Sequence, residues 1–232
     1  MNRLLAFLLL AAPAAWAQSD KPPLTPAEMT ALARKSVALP ERSAWRVDFG
    51  KTGGAAGAFG GWDVQSIASA RVGSTQRDAI IWGDGRVSEA WWIAGDYGAV
   101  DPATGNMLFT VARKPVGELG WISWISEKNC RGIVMFQGHP RIFFQADVPW
   151  LVYWPGYLTA DAEGGSKLAL GAYFSPEDGA LVAISLGDRL AAFTWLEPPA
   201  GALAPGPEFA AQFQKIREKV SAKFRRAFSG RE

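Results

Sequence analysis

The sequence predicts a mainly β protein: an antiparallel meander forming a β-sandwich or barrel, with a short N-terminal helix and a C-terminal amphipathic helix. Three observations predict it. From Ala44 to Glu197, short runs rich in Val, Ile, Trp, Tyr and Phe alternate with Gly, Asp, Asn and Pro at the intervals of an antiparallel sheet. The connections between these runs are short, whereas parallel neighbours need crossovers of a dozen or more residues. Helical periodicity is confined to the two ends of the chain.

The chain opens Met1-Asn2-Arg3 and continues with an apolar run from Leu4 to Ala12, the usual length of a secretory core segment and too short to cross a bilayer. Ala15-Trp16-Ala17 supplies a small-x-small cleavage site, so residues 1–17 are expected to be a removable signal peptide and the mature chain to begin at Gln18. Export implies a periplasmic or secreted location. Removing Arg3 with the leader lowers the formal charge from +2 to +1, which gives no case for nucleic acid.

The mature region, 18–197, is expected to be one β-rich domain carrying the first helix at about 26–38. Thr25-Pro26-Ala27-Glu28 reads as a capping box with Pro at the first helical position, and the helix must stop before Pro40. Strands are expected at Trp45–Phe49, Val64–Val72, Ala79–Trp82, Val87–Ile93, Met107–Ala112, Trp121–Ser126, Gly132–Phe136, Arg141–Gln145, Trp150–Trp154, Lys167–Phe174, Leu181–Leu186 and Leu190–Trp195. Asp84-Gly85, Gly105-Asn106 and Asp178-Gly179 tolerate positive φ and mark turns between them. Gly53 to Gly61 has neither a Gly-Lys-Ser/Thr ending nor a dinucleotide fingerprint and is expected to be a loop or a close backbone approach.

Residues 198–207 form a Pro/Gly linker. Beyond it Phe209, Phe213, Ile216, Val220, Phe224 and Phe228 fall at steps of three and four, one stripe of a helix. Residues 208–232 hold seven basic and three acidic side chains, a net +4, so this is a basic amphipathic helix. Docked over the outer face of the sheet it would bury apolar surface; alternatively, residues 208–228 would make peripheral membrane contact or fit a partner's groove.

Catalytic sets are sparse. His139 is the only histidine, which excludes sites built on a histidine pair, and no metal or cofactor is expected. Cys130, the only cysteine, cannot form an internal disulfide. If a hairpin pivots near Gly138, Cys130 and His139 lie roughly 26 Å apart, far outside the reach of a nucleophile and its base. No Ser occupies a Gly-x-Ser-x-Gly elbow. Asp84, Asp101, Asp178 and Asp188 suit turns, leaving Glu89 and Asp147 as carboxylates without an obvious structural task.

The aromatic residues are more informative, for the mature chain retains ten of the eleven Trp. Alternation sends Trp91 and Trp92 to opposite faces of one strand, and Phe143 and Phe144 likewise. One face cannot hold them all. The candidate ligand-binding residues are therefore Trp150, Tyr153, Trp154, Tyr157 and Trp91, flat rings with a polar edge suited to an apolar or carbohydrate ligand. The function expected is a non-enzymatic binding or assembly protein of the cell envelope, whose partner is such a ligand or an envelope protein. The alternative is a carboxylate-based hydrolase acting on polysaccharide. N-terminal sequencing of the exported form checks the leader: a mature chain beginning at Gln18 is expected, and one that keeps Met1 removes the export premise.

Overall fold

The structure, a computed structural model, describes residues 23–51, 64–100, 104–111, 124–148, 150–153, 158–161, 168–186 and 189–229. Helix α1 spans Pro26–Val37. Its start follows the expected chemistry: Thr25 Oγ1 accepts from the Glu28 N–H at 3.3 Å, while the Glu28 carboxylate accepts from the Thr25 N–H at 2.8 Å.

Thirteen strands are described, β1 (Arg42–Lys51), β2 (Val64–Val72), β3 (Thr75–Trp82), β4 (Val87–Ile93), β5 (Asp96–Val100), β6 (Met107–Val111), β7 (Cys130–Phe136), β8 (His139–Val148), β9 (Trp150–Tyr153), β10 (Leu158–Asp161), β11 (Leu168–Phe174), β12 (Leu181–Leu186) and β13 (Arg189–Leu196). Eleven of them form one sheet in the order β6-β5-β4-β3-β2-β1-β13-β12-β11-β8-β7, and β9 and β10 pair separately. Every pairing is antiparallel, which the tight turns joining consecutive strands such as β2–β3, β3–β4 and β7–β8 require. The meander is broken at two places: β1 and β13 join the two ends of the domain, and β11 pairs with β8 after the chain has left the sheet to form the β9–β10 pair. The sheet is open: β6 and β7 are its edges and do not pair with each other among the described residues.

The register assigns the two faces. Trp45, Val47 and Phe49 of β1 lie opposite Trp195, Phe193 and Ala191 of β13, and Val47 lies opposite Ile67 of β2. The same face carries Ile80, Ala90 and Ala99 on one wing and Ile184, Ala172, Phe144 and Ile142 on the other. These side chains form one buried cluster, closed by Met29 and Ala33 of α1. This inner face is the core. Helix α1 is seated by Gly179, which at φ +76° lies so close to α1 that an added Cβ would run into the Leu32 carbonyl. Arg34 Nε also donates to the Ile125 carbonyl at 3.1 Å. At one end of the same face, Arg71 donates to the Leu39, Pro40 and Gly73 carbonyls at 2.9 Å each, fixing the chain that leaves α1.

Three expectations need correction or addition. Trp121–Ser126 was expected to be a strand, but Trp124 to Ser126 are turn and bend leading into a short 3-10 turn, Glu127–Asn129, with the Trp124 carbonyl accepting from Asn129 Nδ2 at 2.6 Å; residues 121–123 lie outside the described residues. Two strands, β5 and β10, carried no sequence signal. Asp96-Tyr97-Gly98-Ala99-Val100 is poor in β-formers, and the Ala94-Gly95 turn that fixes it has positive φ at both positions, +50° and +86°, where Ala is rarely found. His139, expected at a hairpin tip, is instead the first residue of β8, paired with Phe136 across a Gln137-Gly138 turn, because that pair supplies the positive φ the turn demands. The Gly53–Gly61 segment lies outside the described residues.

The neighbours Phe143 and Phe144 test the two-faced register. Phe144 is fully buried and packs edge-on against Phe174, while Phe143 is half-buried on the outer face. Phe144→Ala is expected to cost about 3–5 kcal/mol in urea unfolding and Phe143→Ala about half of that or less. Equal costs would show that the faces are assigned wrongly.

Candidate functional site

The outer face is not uniform. Over β1–β4 it is polar, with Arg46 paired to Asp48 at 2.7 Å and Arg77 paired to Glu89. Near β7 it carries a run of rings, Tyr173 stacking on both Phe136 (4.0 Å) and Phe143 (4.8 Å). Over β4 and β5 it carries Trp91 and Gly98, on which the second helix, α2 (Pro207–Ser229), rests, and α2 also lies against β6.

The seat for α2 is built from two residues of the strands beneath it. Trp91 of β4 lies opposite Gly98 of β5, and both face outward. Phe213 occupies the space above Gly98 so fully that an added Cβ would sit 2.6 Å from its Cδ2. Phe209 packs against Trp91 with ring centroids 6.2 Å apart and stacks on Phe213 at 6.0 Å. Farther along, Arg217 Nε pairs with Asp96 Oδ2 at 2.7 Å. The linker before α2 is held as well, since Arg42 Nη1 donates to the Pro199, Ala200 and Gly201 carbonyls at 2.8–3.2 Å. Burying the two Phe rings contributes roughly 1.5–3 kcal/mol each.

Beside the start of α2 this surface opens into a groove of about 410 Å³, lined by Arg86, Val87, Ser88, Glu89, Val100, Gly105 and Phe209. Val87 is 64% exposed, a large apolar side chain with little protein over it. Val87, Glu89 and Trp91 alternate along β4 on the outer face, so the groove runs on from the Trp91–Phe209 contact. The rim charges are compensated. Arg86 Nε contacts Asp84 Oδ2 at 2.5 Å, and Glu89 accepts from Arg77 Nε at 3.0 Å and from the Trp91 indole N–H at 3.3 Å. The groove is therefore apolar in its walls and neutral at its edge.

The candidate residues named from sequence are distributed as follows. Trp91 is 3% exposed and lies under Phe209, so its ring contributes to the groove only through that contact. Trp150 and Tyr153 are in β9, whose backbone pairs with β10 opposite Asp161 and Leu158. Trp154 and Tyr157 lie outside the described residues. Val87, Val100 and Phe209 were not singled out from sequence. The signal for Phe209 was its place on the α2 stripe; the two valines carry none until the register is known.

Cys130 lies opposite Phe144 and His139 opposite Phe136, so five residues of β8, roughly 17 Å and not the roughly 26 Å expected, separate their places on the hairpin, because pairing starts at His139 itself. Asp84 and Asp178 perform the turn roles expected of them. The Asp84 carboxyl is held below its ordinary pKa by the Arg86 N–H; that of Asp178 is held down first by the Ser175 hydroxyl and next by the Ala180 N–H. Glu89 is the one carboxylate lining the groove, and among the described residues no three His, Cys, Asp or Glu side chains form a metal-binding group.

Together the fold and site define an open antiparallel sheet with a helix packed on each face and an apolar groove where the second helix meets the sheet. No protein-family model matches the chain, and no curated protein matches its sequence. Solved structures show a distant likeness. Lipoprotein LppX of Mycobacterium tuberculosis is 11% identical, over 76% of this chain and 98% of that one, with a TM-score of 0.42. An uncharacterized conserved protein from Thermus thermophilus is 8% identical over 78% and 94% of the two chains, with a TM-score of 0.45. A LolA superfamily protein from Nitrosomonas europaea is 7% identical over 78% and 96%, with a TM-score of 0.34. Likenesses this distant assign no ligand and no function.

The close approach at Gly98 makes the helix seat testable. Gly98→Val is expected to push Phe213 out of place, lowering stability by about 1–3 kcal/mol and opening the 198–206 linker to limited proteolysis. A variant as stable and as protease-resistant as the native chain would show that α2 does not rest there.

Proposed function

We propose that this is a non-enzymatic binding protein of the cell envelope that takes an apolar ligand in the groove between the outer face of β4–β5 and the start of α2. The observation that carries this reading is the groove itself: walls of Val87, Val100 and Phe209 about a volume of 410 Å³, open to solvent and with its rim charges already paired. Apolar clefts with few polar groups favour ligands whose surface is mostly hydrocarbon. A sugar site would instead offer flat rings edged by free hydrogen-bonding groups, and the Trp91 ring is covered. A glycosidase needs two carboxyl groups roughly 5–10 Å apart, and the groove lining supplies Glu89 alone, engaged with Arg77 and Trp91. The envelope assignment rests on the Leu4–Ala12 run and the cleavage site that follows it.

A fluorescent single-chain fatty acid is the direct probe. The native protein is expected to bind it saturably, and Val87→Asp, placing a charge on an exposed groove wall without touching the core, to weaken binding about tenfold or more. Absence of saturable binding by the native chain, or unchanged affinity in Val87→Asp, removes this reading.

A further inference from the structure

The second half of α2 carries a charge pattern of its own. Phe209, Phe213 and Arg217 meet the sheet in turn near Val100, at Gly98 and at Asp96, so α2 runs antiparallel to β5. Two residues before Asp96 the strand turns back through Ala94-Gly95. The helix continues to Ser229, twelve residues beyond Arg217 and roughly 18 Å farther at the helical rise. Its charge changes at the same point. Residues 207–214 hold one acid and no base, whereas 215–229 hold six bases and one acid.

Four of the six bases form a row. Lys215, Lys219, Lys223 and Arg226 follow one another at steps of four, four and three, a single row along the helix. At about 100° per residue this row flanks the stripe that continues through Val220, Phe224 and Phe228. Lys215 and Lys219 are exposed, while Phe213 on the stripe is buried. An apolar stripe bordered by cations is the pattern of a helix lying in the plane of an anionic bilayer surface, with the rings in the acyl boundary and the ammonium groups among the headgroups.

We infer that α2 is a two-part element: Phe209 and Phe213 fasten it to β4–β5, and residues 215–229 dock the protein on an anionic lipid surface. The fastening is also what makes the docking productive. Because Arg42 holds the linker and Asp96 holds Arg217, the docking half is presented from a fixed point on the domain. The inference does not depend on what the groove holds.

The test is co-sedimentation of the full chain with phosphatidylcholine vesicles made with and without phosphatidylglycerol. Binding is expected only with phosphatidylglycerol present, and raising the salt should weaken it. Replacing Lys215, Lys219, Lys223 and Arg226 by Gln should lower partitioning at least about tenfold, and Phe224→Ser with Phe228→Ser should lower it while the unfolding transition is retained. Equal binding to both vesicle types, insensitivity to salt, undiminished binding by the Gln variant or no binding at all would each overturn the inference. The fatty-acid assay contains no vesicles, so failure of the groove and failure of the docking helix are separate results.

Discussion

The rest of the structure depends on the alternation of side chains along β4. Trp91 and Trp92 are adjacent, so a pleated backbone sends one indole to each face. Trp92 joins the inner face, 4.9 Å from the Tyr97 ring, and Trp91 is left outside. A sheet with large apolar groups on both faces is soluble only if both are covered. The inner face is covered by α1 together with the side chains of the strands themselves. The outer face receives α2 where Trp91 and Gly98 seat it.

The same two helices address a second weakness of an open sheet. Edge strands present unpaired main-chain groups to any passing chain. Here β6 and β7 are the edges, and α2 lies against β6 while α1 lies against β7. The contact at β7 leaves Ile133 and Met135 about half exposed, at 49% and 57%. Gly98 connects the two tasks on the α2 side. Lacking a side chain, it lets Phe213 approach the backbone of β5 next to the edge; any larger residue would hold the helix off both the face and the edge strand.

Much of this was legible in the sequence because it rests on local chemistry. The Thr25–Glu28 box, the positive-φ turns at Gly85, Gly105 and Gly179, and the apolar stripe of α2 are written in contiguous residues, and each of these elements begins or turns where its chemistry demands. What was not legible depends on pairing between distant segments. β5 is a strand because β4 and β6 flank it and α2 presses on it, not because Asp, Gly and Ala favour extended backbone. The groove was invisible for the same reason: Val87, Val100 and Phe209 are far apart in the chain and meet only through the β4–β5–β6 register and the return of α2. The Trp91 ring stands out in the sequence, yet its structural importance lies in what rests on it.

That dependence limits how the groove can vary. One wall, Phe209, belongs to α2, and two others, Val87 and Val100, belong to the sheet, so the width of the groove is set by the height at which α2 stands above β5. That height is set by the Phe213–Gly98 contact together with the packing of Phe209 on Trp91. Enlarging residue 98 would widen the groove and expose Trp91 together, whereas substituting Val87 or Val100 would change its lining with the helix left in place. Val87 and Val100 thus act on the lining alone, Gly98 on the width alone, and Phe209 on both, while the Phe213–Gly98 contact also anchors the helix that carries the basic end.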